Sequence, residues 1–147
     1  MKLKNTSVYL LAGWMLAACS GGGFQKTENG VVVEVKQQQP TDVRKVRLEV
    51  MGEKLIHVSA TPEKEFSKEQ SLIVIPQQNK TDFKVEEQGD EVTVKTSELC
   101  AIVSKTTGEV RFTDADGKQI LAEDSDGRTF TPVEVEGRSE ERRVGKE

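Results

Sequence analysis

Histidine, tryptophan and tyrosine occur once each among the 147 residues, and cysteine occurs twice. A zinc site or a serine triad needs several converging polar side chains. His57, the single histidine, has no second histidine and no acidic residue at ligand spacing on its own predicted strand. We therefore interpret His57 as a solvated or sheet-face residue without a catalytic or metal-binding role.

Neither the charge nor the length suits a nucleic-acid binder or a large catalytic fold. The 21 basic and 25 acidic side chains give a net charge of -4, whereas a nucleic-acid binder normally shows a clustered basic face. A (β/α)8 enzyme barrel needs about 250 residues. The sequence accordingly predicts a single domain that does not bind nucleic acid.

Residues 1–18 have the pattern of an export signal. Lys2 and Lys4 precede an apolar run over residues 8–18, whose length fits the roughly 7–15 residues of a signal-peptide core and falls short of the ~20 that span a bilayer. Residues 16–19 read Leu-Ala-Ala-Cys, which is similar to the box that a lipoprotein signal peptidase cleaves. The sequence predicts lipidation at Cys19, followed by a flexible tether through residue 23; an ordinary cleaved signal peptide is the alternative.

Such a signal predicts an exported bacterial lipoprotein, periplasmic or associated with the outer membrane, held to the membrane by lipid on Cys19. Lipidation leaves Cys100 as the remaining thiol. Its apolar neighbours predict a buried structural cysteine rather than a nucleophile. Trp14 and Tyr9 leave with the signal peptide, so an aromatic platform of Trp or Tyr for stacking sugars is absent.

Residues 24–135 are dominated by apolar residues that alternate with polar ones, separated by turns rich in glycine and aspartate. This pattern predicts an all-β domain, an antiparallel β-sandwich. A continuous apolar run at residues 72–75 predicts a strand covered on both faces. Residues 61–70 are the only helix-like stretch and predict one helical turn. The predicted strands lie at residues 31–35, 46–50, 56–60, 72–75, 83–85, 92–94, 99–104, 110–113 and 119–122.

Two aspartate-rich turns have partial calcium-loop patterns. Each has the form Asp-x-Asp-Gly, beginning at Asp114 and Asp124. An EF-hand loop also needs a bidentate glutamate at its twelfth position, where Ser125 and Val135 stand instead. We therefore predict hairpin turns there, and no metal or cofactor site in the chain.

Residues 96–121 resemble a recurrent hairpin of glycoside hydrolase family 31. In the N-terminal domain of that family, a galactose-mutarotase-like supersandwich, a strand is followed by G-x-hydrophobic-x-F, D-x-x-G and a further hydrophobic residue. The matching residues are Gly108, Val110, Phe112, Asp114, Gly117 and Ile120. The resemblance extends over about residues 24–135.

Together with the lipoprotein signal, this resemblance implies the start of an exported α-xylosidase-like enzyme. Family members are retaining α-glycosidases, whose two catalytic carboxylates lie about 5–5.5 Å apart on a barrel that follows the sandwich. Their nucleophile lies in an aromatic-x-Asp-Met-Asn segment, which this chain lacks. The resemblance therefore assigns no catalytic residue here and implies an inactive fragment of an enzyme for α-linked oligosaccharides such as xyloglucan fragments.

A free-standing envelope lipoprotein that binds glycan or protein is the alternative function. Residues 136–147 bear on the choice, because they change abruptly to charged residues without strand periodicity. We predict an irregular tail there, similar to translated vector sequence; a native solvated tail is the alternative.

Overall fold

The computed structural model describes residues 23–68, 80–125, 127–135 and 138–143. Within these ranges the chain forms antiparallel β-strands joined by turns and loops, and no helix is long and apolar enough to cross a membrane. The strands are β1 (Phe24–Lys26), β2 (Gly30–Glu34), β3 (Lys45–Gly52), β4 (Leu55–Thr61), β5 (Lys84–Gln88), β6 (Glu91–Lys95), β7 (Leu99–Ser104), β8 (Val110–Asp114), β9 (Gln119–Ala122), β10 (Phe130–Val135) and β11 (Arg138–Arg143).

The first sheet contains four strands in the order β1-β2-β3-β4. Its strands follow one another along the chain, so each pair is a simple antiparallel hairpin or meander. Val46 on β3 pairs with Val33 on β2 and Ala60 on β4, and all three are buried. The predicted period-two alternation is therefore confirmed, because the apolar residues share one face of this sheet.

The second sheet contains five strands in the order β5-β6-β7-β8-β9, again antiparallel throughout. Gly117 lies in the turn between β8 and β9 with a φ of 87°, a left-handed conformation that glycine adopts without a side-chain clash. A register shift between Phe112 and Thr113 marks a β-bulge at the β8–β9 pair.

The core lies between the two sheets and is built mainly from valine. Leu48, Val46 and Val94 are fully buried, and burying each such side chain contributes about 1.5–3 kcal/mol. The buried hydrophobic side chains are Val31, Val33, Val35, Val43, Val46, Leu48, Val50, Ile56, Ala60, Val92, Val94, Ala101, Val103, Val110 and Phe130. The all-β prediction with antiparallel sheets is confirmed.

Residues 61–68 differ from the predicted helical turn. Thr61 ends β4, and its Oγ1 accepts a hydrogen bond from the backbone N–H of Glu63 at 3.1 Å. The described part of the stretch, up to Lys68, contains bends and no helix. The Thr61 hydroxyl closes a local turn there instead of capping a helix. Residues 69 and 70, like the strand predicted at 72–75, lie outside the described residues.

The charged segment after residue 136 also differs from the prediction of an irregular tail. Residues 138–143 form β11, which pairs with β10 from Phe130↔Arg143 to Val135↔Arg138. Backbone pairing in a hairpin does not require alternating apolar side chains, which is why periodicity misses this strand. The origin of the segment stays a prediction.

Candidate functional site

His57 lies on the outward face of the first sheet beside two charged residues of β3. Its Nδ1 is 3.0 Å from Glu49 Oε2, and Arg47 Nε is 3.3 Å from the same oxygen. The ring of Phe66 lies over the Arg47 guanidinium, with 4.6 Å between the ring centroid and Cζ. The three polar side chains are between a fifth and a third exposed, so they form a partly solvated cluster.

Sequence reasoning placed His57 on a sheet face but missed its acidic partner. Glu49 lies on the neighbouring strand, directly opposite His57 in the β3–β4 register. The sequence contained the information for this contact, because residues equidistant from a hairpin turn face each other on the two strands. The cluster of Arg47, Glu49 and His57 contains no hydroxyl or thiol, and a hydrolytic triad requires such a nucleophile.

A polar cavity of about 220 Å³ opens where the β2–β3 loop, the β7–β8 turn and the segment after β9 meet. Arg128 lies at this cavity, pairs with the Glu123 carboxylate and donates to the backbone carbonyl of Gly108 at 3.4 Å. Glu123 Oε2 accepts the backbone N–H of Val110 at 2.9 Å. Asp42 Oδ2 accepts the backbone N–H of Gln39 at 2.7 Å. These carboxylates are engaged by the protein itself, which suits a structural role better than general acid–base chemistry.

The second sheet carries two further ion pairs that tie its strands together. Arg111 forms a bidentate pair with Glu91 across β7, with N–O distances of 2.5 and 2.8 Å. The hydrogen bond that Arg111 donates to this carboxylate raises the pKa of its guanidinium above the ordinary value. Lys105 is nearly buried and its Nζ lies 2.6 Å from Glu87 Oε1. The Arg111–Glu91 pair spans a strand between its partners, so no local sequence signal could have identified it.

The residues of the recognised hairpin make up the β7–β8–β9 unit. Gly108 has a φ of 76° in the β7–β8 turn, and a side chain there would lie 3.0 Å from Val43. Asp114 Oδ1 accepts the backbone N–H groups of Asp116 at 3.0 Å and Lys118 at 2.8 Å. Asp114 therefore closes a hairpin turn, as predicted, and the motif is a structural one.

The two cysteines have different predicted roles, lipidation for Cys19 and a buried structural thiol for Cys100. Cys100 lies on β7 and is buried, as predicted for a structural thiol. Cys19 lies outside the described residues. Across the described ranges, no three His, Cys, Asp or Glu side chains converge to hold a metal ion.

Two solved glycoside hydrolases are similar in structure to this chain. The chain is 39% identical to the family 31 α-xylosidase from Xanthomonas citri, with a TM-score of 0.70, and the match covers 80% of this chain and 12% of that one. It is 26% identical to a family 31 α-xylosidase from a soil metagenome complexed with xylose, with a TM-score of 0.55, covering 80% of this chain and 16% of that one. The chain thus spans less than a fifth of either enzyme.

An uncharacterized protein from Listeria monocytogenes EGD-e, solved with α-D-glucose, β-D-glucose, magnesium and calcium, has a similar fold. Its identity is 17% and its TM-score 0.56, over 74% of this chain and 10% of that one. The profile of the glycosyl hydrolase 31 N-terminal galactose mutarotase-like domain matches residues 45–146. This chain therefore belongs to the family of N-terminal galactose mutarotase-like domains of glycosyl hydrolase family 31.

Proposed function

We propose that the chain is the non-catalytic N-terminal β-sandwich of a retaining α-glycosidase, of α-xylosidase or α-glucosidase type. The observation that carries this proposal is the 39% identity to an α-xylosidase over 80% of this chain. The catalytic barrel of the parent enzyme would follow the sandwich in the longer polypeptide. Its substrates would be α-linked oligosaccharides such as xyloglucan fragments.

In this proposal the sandwich supports the barrel and performs no chemistry itself. The charged side chains of the described residues support a non-catalytic role, because three of their carboxylates are held in ion pairs within the domain. Glu123 pairs with Arg128, Glu91 with Arg111 and Glu87 with Lys105. Retaining hydrolysis instead needs two carboxylates that flank a sugar from opposite sides.

A long sequencing read of the source DNA across codons 136–147 is the first test. We expect the native frame to continue past Val135 through several hundred codons and to contain an aromatic-x-Asp-Met-Asn segment. A frame that ends at Glu147 would overturn the proposal and favour the envelope lipoprotein that binds glycan or protein.

The second test compares the longer polypeptide with the 147-residue chain on p-nitrophenyl α-xyloside and p-nitrophenyl α-glucoside. The longer polypeptide should release p-nitrophenol, whereas the 147-residue chain should not. Replacing the aspartate of the Asp-Met-Asn segment by asparagine controls for a contaminating hydrolase. Hydrolysis by the 147-residue chain alone would contradict a non-catalytic role.

The proposal also places the enzyme in the bacterial envelope, with lipid on Cys19 as its anchor. Several acyl chains hold a protein to a membrane far more firmly than a single chain. In cells fed an alkyne-labelled fatty acid, the protein should become labelled, and the Cys19→Ser variant should not. Cys100→Ser is the matched control, and loss of label from that variant instead would contradict the assignment.

A further inference from the structure

Asn29 is the only asparagine in the chain that a glycine follows. It lies exposed in the turn between β1 and β2, and Gly30 is the first residue of β2. The backbone nitrogen of the next residue can attack the side-chain amide of an asparagine. A glycine leaves that nitrogen unshielded because it has no Cβ. The dipeptide therefore places an exposed amide next to the least hindered backbone nucleophile.

The packing of β2 against β3 requires the glycine. A Cβ atom at residue 30 would overlap the backbone carbonyl oxygen of Leu48, so a residue with a side chain fits only if the strands separate. The fold thus demands, directly after Asn29, the residue type that makes an asparagine most reactive.

The hydrogen bonds of the turn leave the Gly30 nitrogen accessible. Thr27 N–H donates to the Gly30 carbonyl oxygen at 2.9 Å. The reciprocal bond, from Gly30 N–H to the Thr27 carbonyl oxygen, does not form between these two described residues. β1 is moreover an edge strand of three residues, and short edge elements open locally at a small cost in free energy.

The turn between β8 and β9 contains a comparable dipeptide whose glycine nitrogen is engaged. Gly117 N–H donates to the Asp114 carbonyl oxygen at 3.1 Å. Asp114 Oδ1 also accepts the N–H groups of Asp116 and Lys118. These bonds hold the backbone on both sides of the Asp116 side chain, and its carboxylate is a poorer electrophile than an amide. The turn at Asn29 has neither protection.

We propose that Asn29 is a site of spontaneous deamidation. The Gly30 nitrogen gives its proton to solvent base and attacks Asn29 Cγ, and the side-chain nitrogen leaves as ammonia, which closes a succinimide ring. Water then opens the ring. Breaking the bond from the Gly30 nitrogen to Cγ gives aspartate, and breaking its bond to the backbone carbonyl carbon gives isoaspartate. Ammonia is released and water is consumed, so the step needs no oxidant, reductant or cofactor.

The two products affect the pairing of β2 with β3 differently. The Asn29 carbonyl oxygen accepts the backbone N–H of Val50 at 2.7 Å, beside the register shift between Val50 and Gly52. Aspartate preserves the main chain and this bond. Isoaspartate makes the main chain one methylene longer and converts the bonded carbonyl into a carboxylate. Because Gly30 is packed against Leu48, the added length has to be taken up at residue 29, and the bond to Val50 is lost.

Tryptic peptide mapping of the folded 147-residue chain, incubated in mildly alkaline buffer, tests the modification. Residues 27–36 form a tryptic peptide with Asn29 as its only asparagine, and its mass increases when the amide becomes an acid. Asn79, which a lysine follows, is the internal control. Asn29 should deamidate at least about tenfold faster than Asn79, because the lysine side chain shields the attacking nitrogen.

A synthetic peptide of residues 27–36 shows that the conditions permit the reaction. An intact Asn29 in the folded chain, under conditions that deamidate this peptide, would overturn the inference, and so would equal rates at Asn29 and Asn79. Asn29→Gln is the matched variant, since its longer side chain closes a larger ring more slowly. A mass increase of residues 27–36 in this variant at the unmodified rate would exclude residue 29 as its source.

Hydrogen exchange of the Val50 amide tests the effect on the strands. The isoaspartate form is prepared by deamidation in urea and refolding, and is identified by the resistance of residue 29 to endoprotease Asp-N. Its Val50 amide should exchange at least about tenfold faster than in the unmodified chain, because a pairing bond is lost. Asn29→Asp adds the same charge to an unaltered main chain and should keep the Val50 protection. Equal exchange of Val50 in the isoaspartate form and in Asn29→Asp would refute the effect on β2 and β3.

Discussion

Gly30 is the point where the backbones of β2 and β3 leave no room for a side chain. A Cβ atom at this position would overlap the backbone carbonyl oxygen of Leu48. We expect Gly30→Ala to lower the free energy of unfolding by about 1–3 kcal/mol, because the two strands must separate to accept the methyl group. Guanidinium denaturation followed by circular dichroism measures the change.

Gly23→Ala is the matched control for this substitution. No atom beyond the neighbouring residues lies within 4 Å of a Cβ built at Gly23. Its denaturation midpoint should equal that of the unmodified chain. A Gly30→Ala protein with the same midpoint as this control would contradict the close approach of β2 and β3.

Glu28 and Lys80 form an exposed ion pair, with 2.6 Å between Glu28 Oε1 and Lys80 Nζ. The hydrogen bond from Lys80, reinforced by its charge, lowers the pKa of Glu28. Since the folded pKa is below the unfolded one, the contribution of this pair to stability is present above the unfolded pKa. It is lost as the pH falls through the folded pKa of Glu28.

We expect Lys80→Gln to raise the pKa of Glu28 to its ordinary value. A carbon-detected NMR titration of the Glu28 carboxyl group measures this shift. High salt should have a similar but smaller effect, because it screens the charge and leaves the hydrogen bond. Lys64→Gln is the control on another exposed loop, and an unchanged pKa in Lys80→Gln would show that the pair does not form.

At the scale of the strand, β10 is anchored to the sandwich by its first residue. Phe130 is 4% exposed and belongs to the core, and its backbone N–H donates to the carbonyl of Thr41 at 2.9 Å. Phe130→Ala should lower the free energy of unfolding by about 3–5 kcal/mol, because it leaves a cavity that the core cannot fill.

Two further substitutions make this prediction decisive even if the alanine variant unfolds. Phe130→Leu keeps most of the buried volume and should cost less than about 1.5 kcal/mol. Val133→Ala, at a position that is 37% exposed, should change stability by less than about 0.5 kcal/mol. Equal effects at positions 130 and 133 in urea denaturation would contradict the anchoring of β10 by Phe130.

Periodicity predicted the strands whose two faces differ, and failed where local contacts decide the conformation. β3 alternates regularly, so the burial of Val46, Leu48 and Val50 could be read from the sequence. β11 has no such alternation and is set by its backbone pairing with β10. In residues 61–68, the Thr61 hydroxyl accepts a hydrogen bond from a nearby backbone N–H, and helix propensity alone does not reveal this contact.

The contacts of the candidate site likewise fall into those that strand register predicts and those that depend on the whole fold. Glu49 and His57 face each other across a hairpin, so their contact was within reach of register arithmetic. The Arg128–Glu123 pair at the polar cavity depends on how the segment after β9 returns to the β7–β8 turn. Only the assembled fold determines that path.

At the scale of the whole molecule, a hydroxyl group joins the two sheets. Thr96 lies between β6 and β7, and its Oγ1 is 2.5 Å from the carbonyl oxygen of Glu53, in the β3–β4 turn. Thr96 Oγ1 also accepts a hydrogen bond from the backbone N–H of Leu99 at 3.0 Å. Thr96→Val keeps the shape and removes these bonds, so we expect a loss of about 1–3 kcal/mol from the free energy of unfolding.

Thr106→Val provides the control for this substitution, because Thr106 is exposed in the β7–β8 turn. Its thermal unfolding should match that of the unmodified chain. If Thr96→Val also unfolds at the unmodified temperature, the link between the sheets contributes nothing to stability.

Because Cys100 is buried, its reactivity with a thiol reagent depends on opening of the sandwich. Cys100 is the one thiol within the described residues and is 7% exposed on the central strand β7. Once Cys19 is replaced by serine, a disulfide reagent can react with the folded chain only after β7 has been uncovered. The rate of this reaction therefore measures how often the domain opens, without any label added to the protein.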